Sequence, residues 1–398
     1  MTALTKLSLA ATLAALAACA SPDGGGPTAP APASVPTPRP VPSPALLVTT
    51  APRSSAGAPS PAQVATYAIG PDGRLTLVAA PQPIGAVDRV YAVSYVDSSG
   101  LYRQVLSEAP YAQGGTTSLV THRVDLETGV LTRLGASDLP FRSGVAAFHP
   151  GGRFLYATEG PQRLHGFELD PGNGAILRAV PGGPTAWDAP MGVSTLAFAE
   201  SGRIAWAQGR IPDGYHSNRG FVLTFAFDPA TGALSTSAET PVFDQFSDLA
   251  VATREDAAYV VDRTDMSPGE LTWRRFSVDP AGALAQEARW NQRLGGIRMR
   301  FTRSDRFLVA LEGDTLDLLE IGASGRPTRR AEVRVPSATY WDARRVIIQW
   351  GDFLYVGADD SLTVVRVDEA AGTLEKVQEV TPGENLQVLA VALARPAS

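Results

Sequence analysis

The chain has 398 residues, is 44% hydrophobic, and carries 38 glycines and 32 prolines, a composition suited to one large turn-rich β domain. Its formal charge of −6 leaves no basic footprint for general nucleic-acid binding. A single cysteine, Cys19, excludes an intramolecular disulfide and a cysteine-rich metal site.

Residues 1–18 read as a lipoprotein signal peptide. Met1–Lys6 forms a short n-region, and Leu7–Ala18 is an apolar run too short to span a bilayer as a mature helix. Leu16-Ala17-Ala18-Cys19 then resembles a bacterial lipobox, which implies cleavage before Cys19 and acylation, palmitate included, of its new N-terminus. Ala20 and Ser21 follow, with no aspartate directly after the cysteine. By resemblance to enterobacterial sorting rules this favours the outer membrane, facing the periplasm. Residues 19–44 are the lipidated cysteine and a Pro/Ala-rich tether. Twelve prolines fall within residues 20–62, nine of them in the tether, so the tether buries too little apolar surface to order itself. As polyproline-like chain, residues 20–44 reach about 75 Å.

The remaining domain, 45–398, reads as strands and turns throughout. Ala45–Thr50 is apolar and is expected as a strand. From Val64 onward one phrase recurs: strand, turn with glycine, strand. Its glycines are Gly73, Gly129, Gly174, Gly232, Gly282, Gly325 and Gly372, spaced 56, 45, 58, 50, 43 and 47 residues apart. Asp125-Leu126-Glu127-Thr128-Gly129-Val130-Leu131 and Asp228-Pro229-Ala230-Thr231-Gly232-Ala233-Leu234 are its clearest copies. A period near 50 residues in short strands predicts an all-β, seven-bladed propeller with four antiparallel strands per blade. A second phrase supplies the inner half of each blade. Phe148-His149-Pro150-Gly151-Gly152-Arg153-Phe154-Leu155-Tyr156-Ala157 matches 198–207, and 251–260 and 301–310 follow the same plan. Leu386–Ala394 is an apolar strand left over at the end. It is expected to become strand one of the first blade, beside strand two at 45–50, so that the chain ends close the ring and leave no open edge.

These two phrases resemble those of the seven-bladed lactonase family, which includes the propeller-type 6-phosphogluconolactonases, over roughly residues 64–394. The YVTN-type surface propellers, and WD40-like repeat proteins more distantly, are similar in plan. The resemblance implies a lactone hydrolase with a Pro-His pair ahead of inner strands, pointing a histidine into the central funnel. The corresponding positions here are Arg142-Ser143-Gly144, Gly192-Val193-Ser194, Phe246-Ser247-Asp248 and Gly296-Ile297-Arg298, none with histidine.

Tight turns join strands one–two and three–four on one face of the ring. Longer loops join two–three and four–one on the other, where binding residues gather. Loop 208–220 holds Tyr215 and His216; 181–192 holds Trp187 and Asp188; 289–298 holds Arg298; 336–346 holds Trp341, Asp342 and Arg344. Glu159, Asp262 and Glu312 end second strands in equivalent register. They either ring the funnel with negative charge or bond neighbouring backbone amides. The Trp-Asp pairs are either recognition anchors or seals between blades. His122, His149 and His165 read as structural or solvated. His216 alone lies on the loop face, as a general base or a solvent-exposed side chain. No zinc spacing, nucleophile elbow, phosphate loop or calcium loop occurs, so no metal or cofactor is expected. The first expectation is therefore a monomeric, lipid-anchored envelope propeller that binds a small ligand or envelope partner. The alternative is a lactone hydrolase, with a carboxylate or His216 activating water and Arg298 or Arg344 holding the oxyanion.

Overall fold

The computed structural model describes residues 44–52, 60–87, 92–97, 99–107, 116–125, 127–160, 162–186, 192–212, 218–243, 248–262, 271–292, 298–336, 346–358, 360–383 and 386–394. All described regular structure is β, and it forms seven antiparallel sheets. Blade 3 shows the plan, with strands Ser143–Phe148, Phe154–Glu159, Arg163–Leu169 and Ile176–Ala179 from inside to outside. Blades 2, 4, 5, 6 and 7 begin at inner strands Ala92–Val96, Gly192–Phe198, Asp248–Val251, Arg298–Phe301 and Val346–Trp350.

Blade 1 is assembled from both ends of the domain. Leu386–Ala394 lies innermost, followed by Ala45–Pro52, Ser60–Ile69 and Leu75–Val87. The closing ladder pairs Ala45 with Ala394, Leu47 with Ala392 and Val48 with Val391, with one register shift at Thr49/Thr50. The expected closure is thus the one observed.

Burial follows from position in the blade. Second strands are packed on both faces by neighbouring blades, so Phe154–Ala157 and Phe307–Leu311 are almost wholly buried. Outer strands alternate or face solvent, as in Pro327–Arg334. Two arginine–glutamate–arginine clamps tie the turn into strand two to strands three and four: Glu168 accepts from Arg153 and Arg178, and Glu320 from Arg306 and Arg330.

The glycine turns also join blades. Tyr156 Oη donates to the Gly232 carbonyl at 2.5 Å, and Tyr259 Oη to that of Gly325 at 2.6 Å. Trp206 Nε1 reaches Gly282 at 3.2 Å, and Tyr355 Oη carries the pattern across the closure to Gly73 at 3.1 Å. Gly232 must be glycine on two counts. Its φ is +77°, and a Cβ there would sit 2.2 Å from the Phe154 ring of the preceding blade. The inner turns form a second girdle. Asp305, at φ +58°, holds its strained backbone by accepting from Thr253 N and Oγ1, both at 2.7 Å, and from Arg254 N at 3.1 Å.

Candidate functional site on the loop face

Glu159 ends the second strand of blade 3 and stands opposite Arg163, the first residue of the third strand. Side chains alternate along a strand, so His165 lies on the same face two residues further on. His165 Nε2 and Glu159 Oε2 are 2.8 Å apart, and Arg163 Nη1 is 3.6 Å from the same oxygen. The hydrogen bond from His165, then the charges of His165 and Arg163, hold the Glu159 carboxyl below its ordinary range. Phe141, in the link between blades 2 and 3, packs its ring on the imidazole with centroids 4.3 Å apart. The imidazole is therefore fixed on two sides. Its Nδ1 bonds no other described residue, and the ring remains partly open to solvent.

Such a pair can move a proton. A carboxylate that accepts from Nε2–H selects the tautomer in which Nδ1 carries a lone pair, and it stabilises the imidazolium once formed. Ser143 stands opposite Glu159 in the ladder, but its hydroxyl donates to the Val145 carbonyl at 2.7 Å. That hydroxyl is committed to the backbone rather than to His165.

Glu159 thus bonds side chains rather than neighbouring amides. Asp262 and Glu312 end the second strands of blades 5 and 6 in equivalent positions, and the Asp262 side chain lies outside the described residues. Arg298 and Glu312 are half-buried. Arg298 pairs with Leu311, so it and Glu312 start on opposite faces of the sheet. Trp187, Asp188, Tyr215, His216, Trp341, Asp342 and Arg344 lie outside the described residues, as does Cys19. Two of the expected loops are more regular than the sequence suggested. The 208–220 insertion extends a hairpin through Arg210↔Gly220 and Pro212↔Asn218, and 181–192 contains a short strand, Thr185–Ala186, paired with Arg163–Leu164.

The sequence reading took His165 as structural or solvated, whereas the structure pairs it with Glu159. The signal was nonetheless present: the hairpin register sets Glu159 opposite Arg163, and alternation brings His165 to the same face. His149 is structural, stacked on Phe227 at 4.2 Å and bonded to the Gly202 carbonyl at 3.1 Å. Burial lowers its pKa, and the Gly202 bond opposes this. His122 is 3% exposed, and burial followed by the charge of Arg133 lowers it to about 4. On the tight-turn face, a cavity of about 170 Å³ between the inner strands of blades 4, 5 and 6 is lined by Trp206, Met299 and the Glu200–Arg300 ion pair. Among the described residues, no three His, Cys, Asp or Glu side chains converge as a metal site.

These features define a seven-bladed propeller with a carboxylate–imidazole pair on its loop face. Its fold is that of solved propellers with little sequence in common. A putative 6-phosphogluconolactonase from Bacteroides uniformis ATCC 8492 aligns over 89% of this chain and 100% of its own, with 15% identity and a TM-score of 0.63. A putative 6-phosphogluconolactonase from Bacteroides fragilis NCTC 9343 aligns over 89% and 98%, at 13% identity and a TM-score of 0.61. A hypothetical selenium-binding protein from Sulfolobus tokodaii aligns over 89% and 95%, at 11% identity and a TM-score of 0.55. No protein-family profile and no curated protein sequence matches the chain. One frame thus carries more than one named function, and the site must decide the chemistry.

Proposed function

We propose that this protein hydrolyses a lactone on the loop face of blade 3. The observation that carries the reading is the 2.8 Å Glu159–His165 contact, with the second imidazole nitrogen left for a proton. The named activity of the Bacteroides propellers favours the same class of reaction.

Water beside His165 Nδ1 attacks the lactone carbonyl carbon while Nδ1 accepts its proton. Glu159 holds the resulting imidazolium. The Arg163 guanidinium is the cation beside the pair and faces the developing oxyanion. Collapse breaks the ring C–O bond, and the imidazolium returns its proton to the leaving alkoxide. The product is one hydroxy acid, and the catalyst is restored. Neither Arg298 nor Arg344 is needed in this scheme.

The test is hydrolysis of aliphatic, sugar and acyl-homoserine lactones by the full chain, followed by proton release. His165→Gln and Glu159→Gln should each lower kcat by about 10²–10⁴-fold, the usual range for a positioned general base, with thermal unfolding unchanged. Turnover that both variants retain in full would sink the assignment of these residues. No turnover on any lactone would sink the activity itself.

We propose further that Cys19 is acylated and tethers a monomeric propeller to the periplasmic side of the outer membrane. Metabolic labelling with palmitate checks this, since Cys19→Ala should abolish both label and membrane fractionation. A labelled or membrane-bound variant would refute it.

A further inference from the structure

A cavity of about 410 Å³ opens on the flank of the ring, where the outer strand of blade 1 meets the two outer strands of blade 2. Its walls are Gln82, Pro83, Ile84, His122, Leu131 and Arg133. The strand geometry explains the opening. Leu75–Val87 pairs with Ser60–Ile69 through three register shifts, and Gly85 has φ +135°. These irregularities bend the outer strand away from regular packing. Gln82 then fixes the rim: its Nε2 donates to the Gly129 carbonyl at 3.1 Å, and its Oε1 accepts from Leu131 N at 2.9 Å.

His122 and Arg133 stand opposite one another in the ladder between Thr117–Val124 and Leu131–Asp138, and so share one sheet face. Arg133 is exposed. His122 is 3% exposed, and its Nδ1 is buried with no hydrogen-bond partner. A buried polar atom of that kind costs stability until something bonds to it.

We propose that this cavity binds a small monocarboxylate with an apolar tail, the carboxylate meeting Arg133 and an N–H of His122 while the tail lies against Pro83, Ile84 and Leu131. The chemistry of the walls selects this class. Arg133 is the one cation among the described lining residues, so a single negative charge is matched and a cationic ligand is repelled. The neutral imidazole offers one donor and no second charge. A phosphate dianion would bring a second negative charge that the single Arg133 guanidinium leaves unmatched. The three apolar walls reward a hydrocarbon tail and give an inorganic anion nothing. The site lies between blades 1 and 2, apart from the Glu159–His165 pair on blade 3, and does not depend on the lactonase reading.

Hexanoate is the probe, titrated into the full chain while histidine Hε1 resonances are followed by NMR. The chain has four histidines, and His122→Gln identifies the resonance of interest. Hexanoate should shift that resonance saturably. Arg133→Met should weaken binding by about tenfold or more, as expected for loss of a charge-assisted contact. Ile84→Trp, which fills the cavity and leaves both polar groups in place, should abolish the shift. Hexan-1-ol and inorganic phosphate should not compete, and His165→Gln should bind hexanoate as the parent does. A non-saturating titration, binding unchanged in Arg133→Met and Ile84→Trp, or equal competition by phosphate would each overturn the proposal.

Discussion

A buried histidine next to an arginine makes a definite statement about pH. Burial first, and then the Arg133 charge, lower the folded-state pKa of His122 to about 4, against about 6.5 in an unfolded chain. Behind the ring lies Tyr102, centroids 6.4 Å away, whose own pKa burial raises, so it stays a neutral neighbour. Between those two values the unfolded chain binds a proton that the folded chain refuses. The stabilisation is therefore fully present above about pH 6.5 and is lost as pH falls through about 4. It amounts to about 3 kcal/mol at most, and His149, also lowered by burial, acts in the same direction. Urea denaturation from pH 7 to pH 4 should show stability falling more steeply for the parent chain than for His122→Gln, by about one proton in the slope. Equal slopes would mean that the His122 ring is not held neutral.

At the level of strands and turns, what the sequence revealed depended on how local the cause was. The seven glycine turns were visible because each needs a residue at positive φ, and glycine is the local answer. Their second role was not visible. The Tyr156 hydroxyl meets Gly232 and the Tyr259 hydroxyl meets Gly325, 76 and 66 residues away, and that depends on how blades pack rather than on either strand. Blade 6 places Val309 in the aromatic position, and a Cβ on Gly372 would come no nearer than 3.6 Å to Phe307, so the seam there is looser. Asp305 and Glu255 take the positive-φ place that Gly152 and Gly202 hold in blades 3 and 4. Their carboxylates explain the exchange, since each accepts hydrogen bonds from the turn of the preceding blade. The Glu159–His165 contact was legible in principle, because hairpin register and alternation determine it. The residues of the long loops offered no such rule, and composition alone could name Trp341 or His216 without placing them.

For the whole ring, stability rests on a strand drawn from the far end of the domain. Leu386–Ala394 makes eight register pairs with Ala45–Pro52, and its Val388 and Val391 are buried together with Ala390, Ala392 and Ala394. Without it, Leu46, Leu47 and Val48, all 0% exposed, would lose their inner neighbour and present an apolar edge to solvent. Each buried valine contributes about 1.5–3 kcal/mol and each alanine methyl somewhat under 1 kcal/mol. The five together approach the 5–15 kcal/mol that usually separates a folded domain from its unfolded chain. Truncation after residue 385 should therefore abolish cooperative unfolding and yield an aggregating species, whereas truncation after Ala394 should keep the parental transition. A synthetic peptide of residues 386–394, added to the shorter chain during refolding, should restore part of the transition, because the missing strand can enter the open edge from outside. If the chain ending at 385 melts like the parent, the closing ladder contributes little and the ring is held by its glycine seams. If that chain is destabilised and the peptide rescues it, closure is a separable step that strand pairing alone can complete.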